Sequence, residues 1–166
     1  NVVRAILEAM KPGDCWSSHT LCEVIGKHLA EHYPGKGILK SAYERNVPVY
    51  IPAFTDSEIA LDMAAFILRK VPKAASQAIE ERELPFHFNP FLDLFDYARR
   101  ITTAEKIGIF TIGGGVPRNW AQQVSPFMEM AVLNNKELPW KTNRFQYGVR
   151  ICPEPDHWGG LSGCTY

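Results

Sequence analysis

The 166-residue sequence has no excess of either charge, no apolar run long enough to cross a bilayer and no paired-cysteine motif. Each absence removes a class of function. Lys+Arg and Asp+Glu both total 18, so the formal net charge is zero. Nucleic-acid affinity rests on basic side chains that neutralise phosphates, so nucleic acid is a poor partner for this chain. Stretches such as Val47 to Phe54 fall far short of the roughly 20 apolar residues that a membrane-spanning helix needs, and no charged-then-apolar leader opens the sequence. The expectation is a soluble, unexported, cytoplasmic protein with no membrane partner. Cys15, Cys22, Cys152 and Cys164 form no C-x-x-C pair, which argues against a zinc knuckle or a disulfide framework and for reduced thiols. There is no internal repeat and no low-complexity tract.

What is present is an ordinary globular composition, 46% hydrophobic and 22% charged, at a length suited to one core. The chain opens at Asn1 without a methionine and closes at Tyr166 directly after a Gly-rich stretch. It is expected to be a fragment of a longer protein.

Along the chain, strand and helix signals alternate. Thr20-Leu21-Cys22-Glu23 has the form of a capping box, followed by Leu21, Val24, Ile25 and Leu29 at helical spacing and by a stop near Tyr33 at Pro34-Gly35. A short helical piece through Ala42 and Tyr43 leads to Asn46–Pro52, β-branched and aromatic, which predicts an interior strand with prolines near its ends. Thr55-Asp56-Ser57-Glu58 reads as a second capping box, opening a helix with Ile59, Met63, Phe66 and Ile67 on one face. Lys73 to Glu83 is polar and expected to be solvated. Asn89-Pro90 supplies N-cap and N1 residues for a helix with the stripe Phe91, Leu94, Phe95, Ala98 and Ile101. Lys106–Ile112 reads as a strand, Gly113-Gly114-Gly115 as its turn and Pro117–Leu133 as one helix. Gln146–Ile151 alternates as a third strand before a loop over Pro153–Gly163. Alternating strands and helices predict an α/β fold, a Rossmann-like, doubly wound, mainly parallel sheet flanked by helices.

In such a sheet ligands bind beyond the carboxyl ends of the strands. Three features are expected to meet at one rim: Thr55 through Asp62, the triple glycine, and the loop Asp156-His157-Trp158-Gly159-Gly160. The glycines let a backbone approach a phosphate-bearing ligand, and the next helix start offers free N–H groups to an anion. A tight turn without a ligand explains them too, because the third glycine of the dinucleotide fingerprint and the Lys-Ser/Thr of a P-loop are missing. Asp56 reads first as a helix cap. Asp62, one turn into an apolar helix, can present its carboxylate to a cationic substrate or simply offset the helix dipole. His28 and His32 have the i, i+4 spacing of a metal pair but no third ligand, so no metal is expected. His157 and Trp158 line a pocket or close a loop.

Val47-Pro48-Val49-Tyr50-Ile51-Pro52-Ala53-Phe54-Thr55-Asp56, the Ile112–Val116 glycine turn and the Tyr147–Gly163 segment together resemble deoxyhypusine synthase, and look closest to its bacterial deoxyhypusine-synthase-like branch. On this resemblance residues 1–166 are one α/β domain fragment, the C-terminal half of the family's domain without its N-terminal segment and extreme C-terminus. The resemblance implies NAD as cofactor, spermidine or a related polyamine as substrate and a homotetramer whose sites are shared between neighbouring chains. It implies transfer of a 4-aminobutyl group to an acceptor amine, a protein lysine or a polyamine, through an imine on an enzyme lysine. In the family's hypusine-forming members the acceptor is a lysine of a translation factor. By carry-over, Asp56, Gly113, Gly114, Gly115, Pro153, Glu154 and Ser162 resemble cofactor-binding positions. Asp62, Asn119, His157, Trp158, Gly159, Gly160 and Leu161 resemble substrate-binding ones. The chain departs from the pattern in four places: one extra residue separates Asp56 from Asp62, Asn119 replaces a histidine, and Trp158 and Leu161 replace aspartates. The nucleophilic lysine is expected beyond Tyr166, so no catalytic residue is assigned within this chain. Homospermidine formation and a catalytically silent NAD- or polyamine-binding module are the alternatives, with a structural fragment that needs its missing half as a third.

Overall fold

The computed structural model describes residues 2–11, 13–71, 79–80 and 84–153. They fall in two compact units, Asn1–Asp93 and Leu94–Tyr166.

The first unit is mostly helical: α1 (Val2–Ala9), α2 (Ser18–His32), α3 (Ile38–Glu44), a 3₁₀ turn (Phe54–Asp56) and α4 (Glu58–Lys70), with two short strands, β1 (Cys15–Trp16) and β2 (His87–Phe88). These strands pair in parallel, Cys15 with His87 and Trp16 with Phe88. Ile6 and Leu7 of α1, Leu21 and Ile25 of α2, Met63 and Phe66 of α4, and Phe54 and Phe86 form the core. Helices α2 and α3 pack closely because position 26 is glycine, where a Cβ would stand 2.5 Å from the Leu39 carbonyl oxygen.

The cap of α2 lies three residues earlier than the sequence predicts. Ser17 is the N-cap and pairs reciprocally with Thr20 in a capping box, so Thr20 is the far member of the box and Glu23 is not part of it. The helix ends at Tyr33 as expected. Residues 46–52 are a correction: they form no strand. Pro48 and Pro52 lack N–H donors for a ladder, and the Ile51 N–H donates to the Ser18 hydroxyl at 2.8 Å.

The second unit holds α5 (Phe91–Thr103, with the unit boundary falling inside it), β3 (Gly108–Ile112), α6 (Val116–Gln122), α7 (Val124–Asn134) and β4 (Tyr147–Ile151). Strands β3 and β4 are parallel neighbours in the register Gly108–Tyr147 through Ile112–Ile151. The single helix expected over 117–133 is two helices that meet at Gln123. At the start of α5 the Asn89 side chain accepts from the Phe91 N–H at 3.0 Å, as its cap role predicts. Ala98 and Ile101 join Ile107, Val124 and Met128 in the core, whereas Phe91 and Phe95 of the expected stripe are exposed.

The segment entering β4 is pinned by polar contacts. Asn143 Nδ2 donates to the carbonyls of Ile101 (2.8 Å) and Ala104 (2.7 Å), satisfying the C-terminal end of α5. Ser125 donates to the Asn143 carbonyl at 2.7 Å. The fold class is therefore mixed α/β with short parallel strands. Each described sheet has two strands, and a doubly wound sheet is not formed among the described residues. The β3–β4 face bearing Phe110, Ile112, Tyr147, Val149 and Ile151 is exposed.

Candidate functional site

In the first unit the chain turns at Phe54–Asp56 because Phe54 is buried and stacks on Phe88, ring centroids 4.1 Å apart. That anchor leaves Thr55 and Asp56 exposed. The cap of α4 is Ser57, whose hydroxyl accepts from the Ala60 N–H at 3.2 Å and donates to the Phe54 carbonyl at 2.6 Å. The box predicted from Thr55 is corrected accordingly, and Asp56 is relieved of the capping role. A cavity of about 280 Å³ opens beside Thr55, lined among others by Phe54, Met63, Ile67 and Phe88. Asp62 lies in the second turn of α4, exposed, in a smaller pocket of about 140 Å³ with Arg4, Leu7, Ala65, Phe66 and Arg69.

The first unit also contains a buried polar centre absent from the sequence reading. The carboxylate of Asp93 is buried and accepts from Ser18 N–H (3.1 Å), Ser18 Oγ (2.7 Å) and His19 N–H (2.8 Å). Through Ser18 it is linked to Ile51, four residues before Thr55. No motif announces this, since Ser18 and Asp93 lie 75 residues apart. Burial, followed by the Asp93 charge, pushes the nearby Cys22 thiol from 9.0 to about 11, because both disfavour the thiolate.

In the second unit Gly113 and Gly115 leave the carboxyl end of β3 with φ of +83° at each. A side chain at either would meet nothing within 4 Å, so the backbone is open to a ligand. The Gly113 N–H donates to the Ile151 carbonyl at 2.8 Å, which ties the turn to the end of β4. Gly113, Gly114, Gly115 and Pro153 thus leave one end of a parallel strand pair, the ligand-binding end in α/β sheets. Asn119 is exposed on α6 in the turn that follows. Glu154, His157, Trp158, Gly159, Gly160, Leu161 and Ser162 lie outside the described residues.

Three further polar groups escaped the sequence reading. Arg118 is buried at the start of α6. Thr111 and Arg150 are register partners on one sheet face. The buried Thr111 hydroxyl finds no hydrogen-bond partner among the described residues. A polar residue inside the apolar run Ile107–Ile112 was the available signal for Thr111. His28 and His32 meet as rings 4.5 Å apart. Among the described residues no group of three or more His, Cys, Asp or Glu is placed to hold a metal ion, and no helix is long and apolar enough to cross a membrane.

The described residues thus form a mixed α/β chain with an open glycine turn at the carboxyl end of a parallel strand pair, the end at which α/β sheets commonly bind ligands. Comparison with known proteins makes this specific. The family model described as deoxyhypusine synthase matches residues 1–166, and the chain belongs to that family. It is 28% identical, over all of its own length, to the probable deoxyhypusine synthase 2 of Methanosarcina mazei, covering 42% of that protein. It is also 28% identical to the probable deoxyhypusine synthase 2 of Methanosarcina acetivorans, over 90% of this chain and 38% of the relative. With the deoxyhypusine synthase-like protein of Chlorobaculum tepidum the identity is 26%, over 99% of this chain and 42% of that protein. The chain therefore spans about two fifths of the length of these curated relatives.

Proposed function

We propose that the full-length protein is an NAD-dependent transferase that moves the 4-aminobutyl group of spermidine, or a related polyamine, to an acceptor amine. The observation that carries this reading is the family match along the whole of residues 1–166. NAD, when bound, supplies the hydride acceptor for oxidation of the carbon beside the secondary amine. An enzyme lysine then attacks that carbon and displaces diaminopropane, holding the aminobutyl group as an imine; the acceptor amine displaces the lysine in turn, and the hydride removed in the first step is returned to reduce the imine it forms. On this reading that lysine is supplied from sequence beyond Tyr166, and the family's doubly wound sheet is completed in the full-length cytoplasmic homotetramer.

Within this chain Asp56, Gly113, Gly114, Gly115, Pro153, Glu154 and Ser162 are assigned to NAD. Asp62, Asn119, His157, Trp158, Gly159, Gly160 and Leu161 are assigned to the polyamine. The glycine turn fits a pyrophosphate, because two left-handed glycines with open space at their Cβ positions leave the main chain accessible. Asp56 fits a polar cofactor contact, because Ser57 performs the capping.

The test is mass spectrometry of full-length protein incubated with NAD and spermidine, with release of diaminopropane or an aminobutyl adduct expected. Absence of turnover with every polyamine tried removes the reading. Putrescine in place of an acceptor protein distinguishes homospermidine formation from protein modification. A binding module without turnover is the second reading, favoured by the arginines that share the Asp62 pocket. It predicts NAD binding in calorimetry with no product.

A further inference from the structure

The first N–H groups of α2, those of Ser18 and His19, have no partner within the helix and donate instead to the buried carboxylate of Asp93. The same two residues hold the segment that runs into the Thr55–Asp56 turn. The Ser18 hydroxyl accepts the Ile51 N–H at 2.8 Å while donating to Asp93 Oδ2 at 2.7 Å, and the His19 ring stacks on Tyr50 with centroids 5.4 Å apart. Two neighbouring residues at one helix start thus grip two neighbouring residues of the segment, and one carboxylate holds both.

That grip matters because residues 46–52 form no strand, so no ladder fixes them. Pro52 offers no N–H. From Ile51 the chain passes into a turn closed by Asp56 N–H to the Ala53 carbonyl and Ser57 N–H to the Phe54 carbonyl, each at 3.0 Å. The stack of Phe54 on Phe88 anchors the inner side of this turn, and the Ile51 bond anchors its entrance. Between the two anchors the position of the exposed Asp56 is set. A misplacement of about 1 Å is enough to spoil a productive ligand contact. Three donors converge on Asp93, and a carboxylate, unlike an amide, accepts at both of its oxygens.

We propose that Ser18 and Asp93 are positioning residues for the cofactor contact at Asp56, acting through the Ile51 bond. Both side chains are buried, so they act on the ligand through the segment they hold. This rests on the assignment of Asp56 to NAD made above, and adds to it the pair that aims the carboxylate.

The experiment is calorimetric titration of the full-length protein with NAD, at a temperature where circular dichroism shows each chain folded. The chains are wild type, Ser18→Ala, Asp56→Asn, the Ser18→Ala/Asp56→Asn double variant and Thr20→Ala. The last breaks the capping box at the same helix start and leaves the Ser18 hydroxyl in place. Ser18→Ala weakens NAD binding about three- to tenfold, within the range of couplings inside one hydrogen-bonded network, and Thr20→Ala changes it by less than about twofold. In the Asp56→Asn background Ser18→Ala has less than about a twofold further effect, because the contact it aims is already gone. Asp93→Asn, which keeps the side-chain volume but gives up one acceptor oxygen, shows the same pattern and takes the place of Ser18→Ala if that chain does not fold. NAD binding that is unchanged, weakened equally by Thr20→Ala, or weakened equally with and without Asp56 overturns the inference while the NAD reading stands. Absence of NAD binding to folded wild type removes that reading and the inference with it.

Discussion

Asp93 accepts a 2.7 Å hydrogen bond from the hydroxyl of Ser18, and that hydroxyl in turn accepts the Ile51 N–H at 2.8 Å. One buried carboxylate thereby fixes the start of α5, the start of α2 and the segment leading to Thr55 and Asp56. Replacing Asp93 by Ala leaves the Ser18 and His19 donors unsatisfied. The expected loss is about 1–3 kcal/mol of unfolding free energy, the range for leaving a buried donor unsatisfied. Ser18→Ala costs about 1–3 kcal/mol, because the Ile51 N–H and one Asp93 oxygen each lose a partner. Urea unfolding of the full-length protein measures both, and an unchanged midpoint in either variant refutes the role given to this network.

Cys22 and Cys15 should differ sharply in reactivity. Cys15 is exposed and Cys22 is buried, with the Cys22 thiol pushed up to about 11. The thiolate is the reactive form, so alkylation at pH 8 should label Cys15 and leave Cys22 protected. The raised value also has a stability consequence. The native state holds the Cys22 proton more tightly than the unfolded chain does, so this contribution is fully present below pH 9.0 and is lost as pH rises towards 11. Mass-spectrometric mapping of labelled peptides at pH 8 checks the first statement, and unfolding curves between pH 8 and 11 check the second.

Gly115 has φ +83° and ψ −148°, a region that residues with a Cβ essentially avoid. Gly115→Ala should cost about 1–3 kcal/mol through backbone strain, although the added methyl meets no neighbour. A thermal melt that does not shift would show that the turn relaxes without penalty.

Asp56 is exposed and performs no capping, since Ser57 does. Asp56→Asn should leave the melting temperature within about a degree or two, as surface substitutions usually stay within ±0.5 kcal/mol, and should weaken NAD binding several-fold. Ser57→Ala should do the reverse, removing about 1 kcal/mol of stability with less effect on NAD. If Asp56→Asn leaves the NAD dissociation constant unchanged, the assignment of Asp56 to the cofactor falls.

Much of the local structure was legible because it rests on neighbours in sequence. The β3 run, its glycine turn, the alternation of β4, the stop of α2 at Tyr33 and the Asn89 cap all follow from residues within a few positions of one another. The missed α2 cap has a local reason too: Ser17-Ser18-His19-Thr20 offers several oxygens, and only the final backbone angles choose Ser17 over Thr20. The misread strand at 46–52 is different. Its β-branched composition favours extension, but its N–H at Ile51 is claimed by Ser18, which no local rule foresees. The two-residue strands β1 and β2 are too short to carry a period.

Taken alone, the sequence settled the family through the Val47–Asp56, Ile112–Val116 and Tyr147–Gly163 runs, and most helix and strand positions through periodicity and turn chemistry, because those signals are encoded in adjacent residues. Tertiary structure alone decided that Asp93 is buried against Ser18, that Ser57 rather than Asp56 caps α4, that Gly113 is tied to Ile151, and that Arg4 and Arg69 line one pocket with Asp62. Such pairings depend on which helix faces meet across tens of residues. The desolvation and charge compensation that govern the chemistry exist only once those faces have packed.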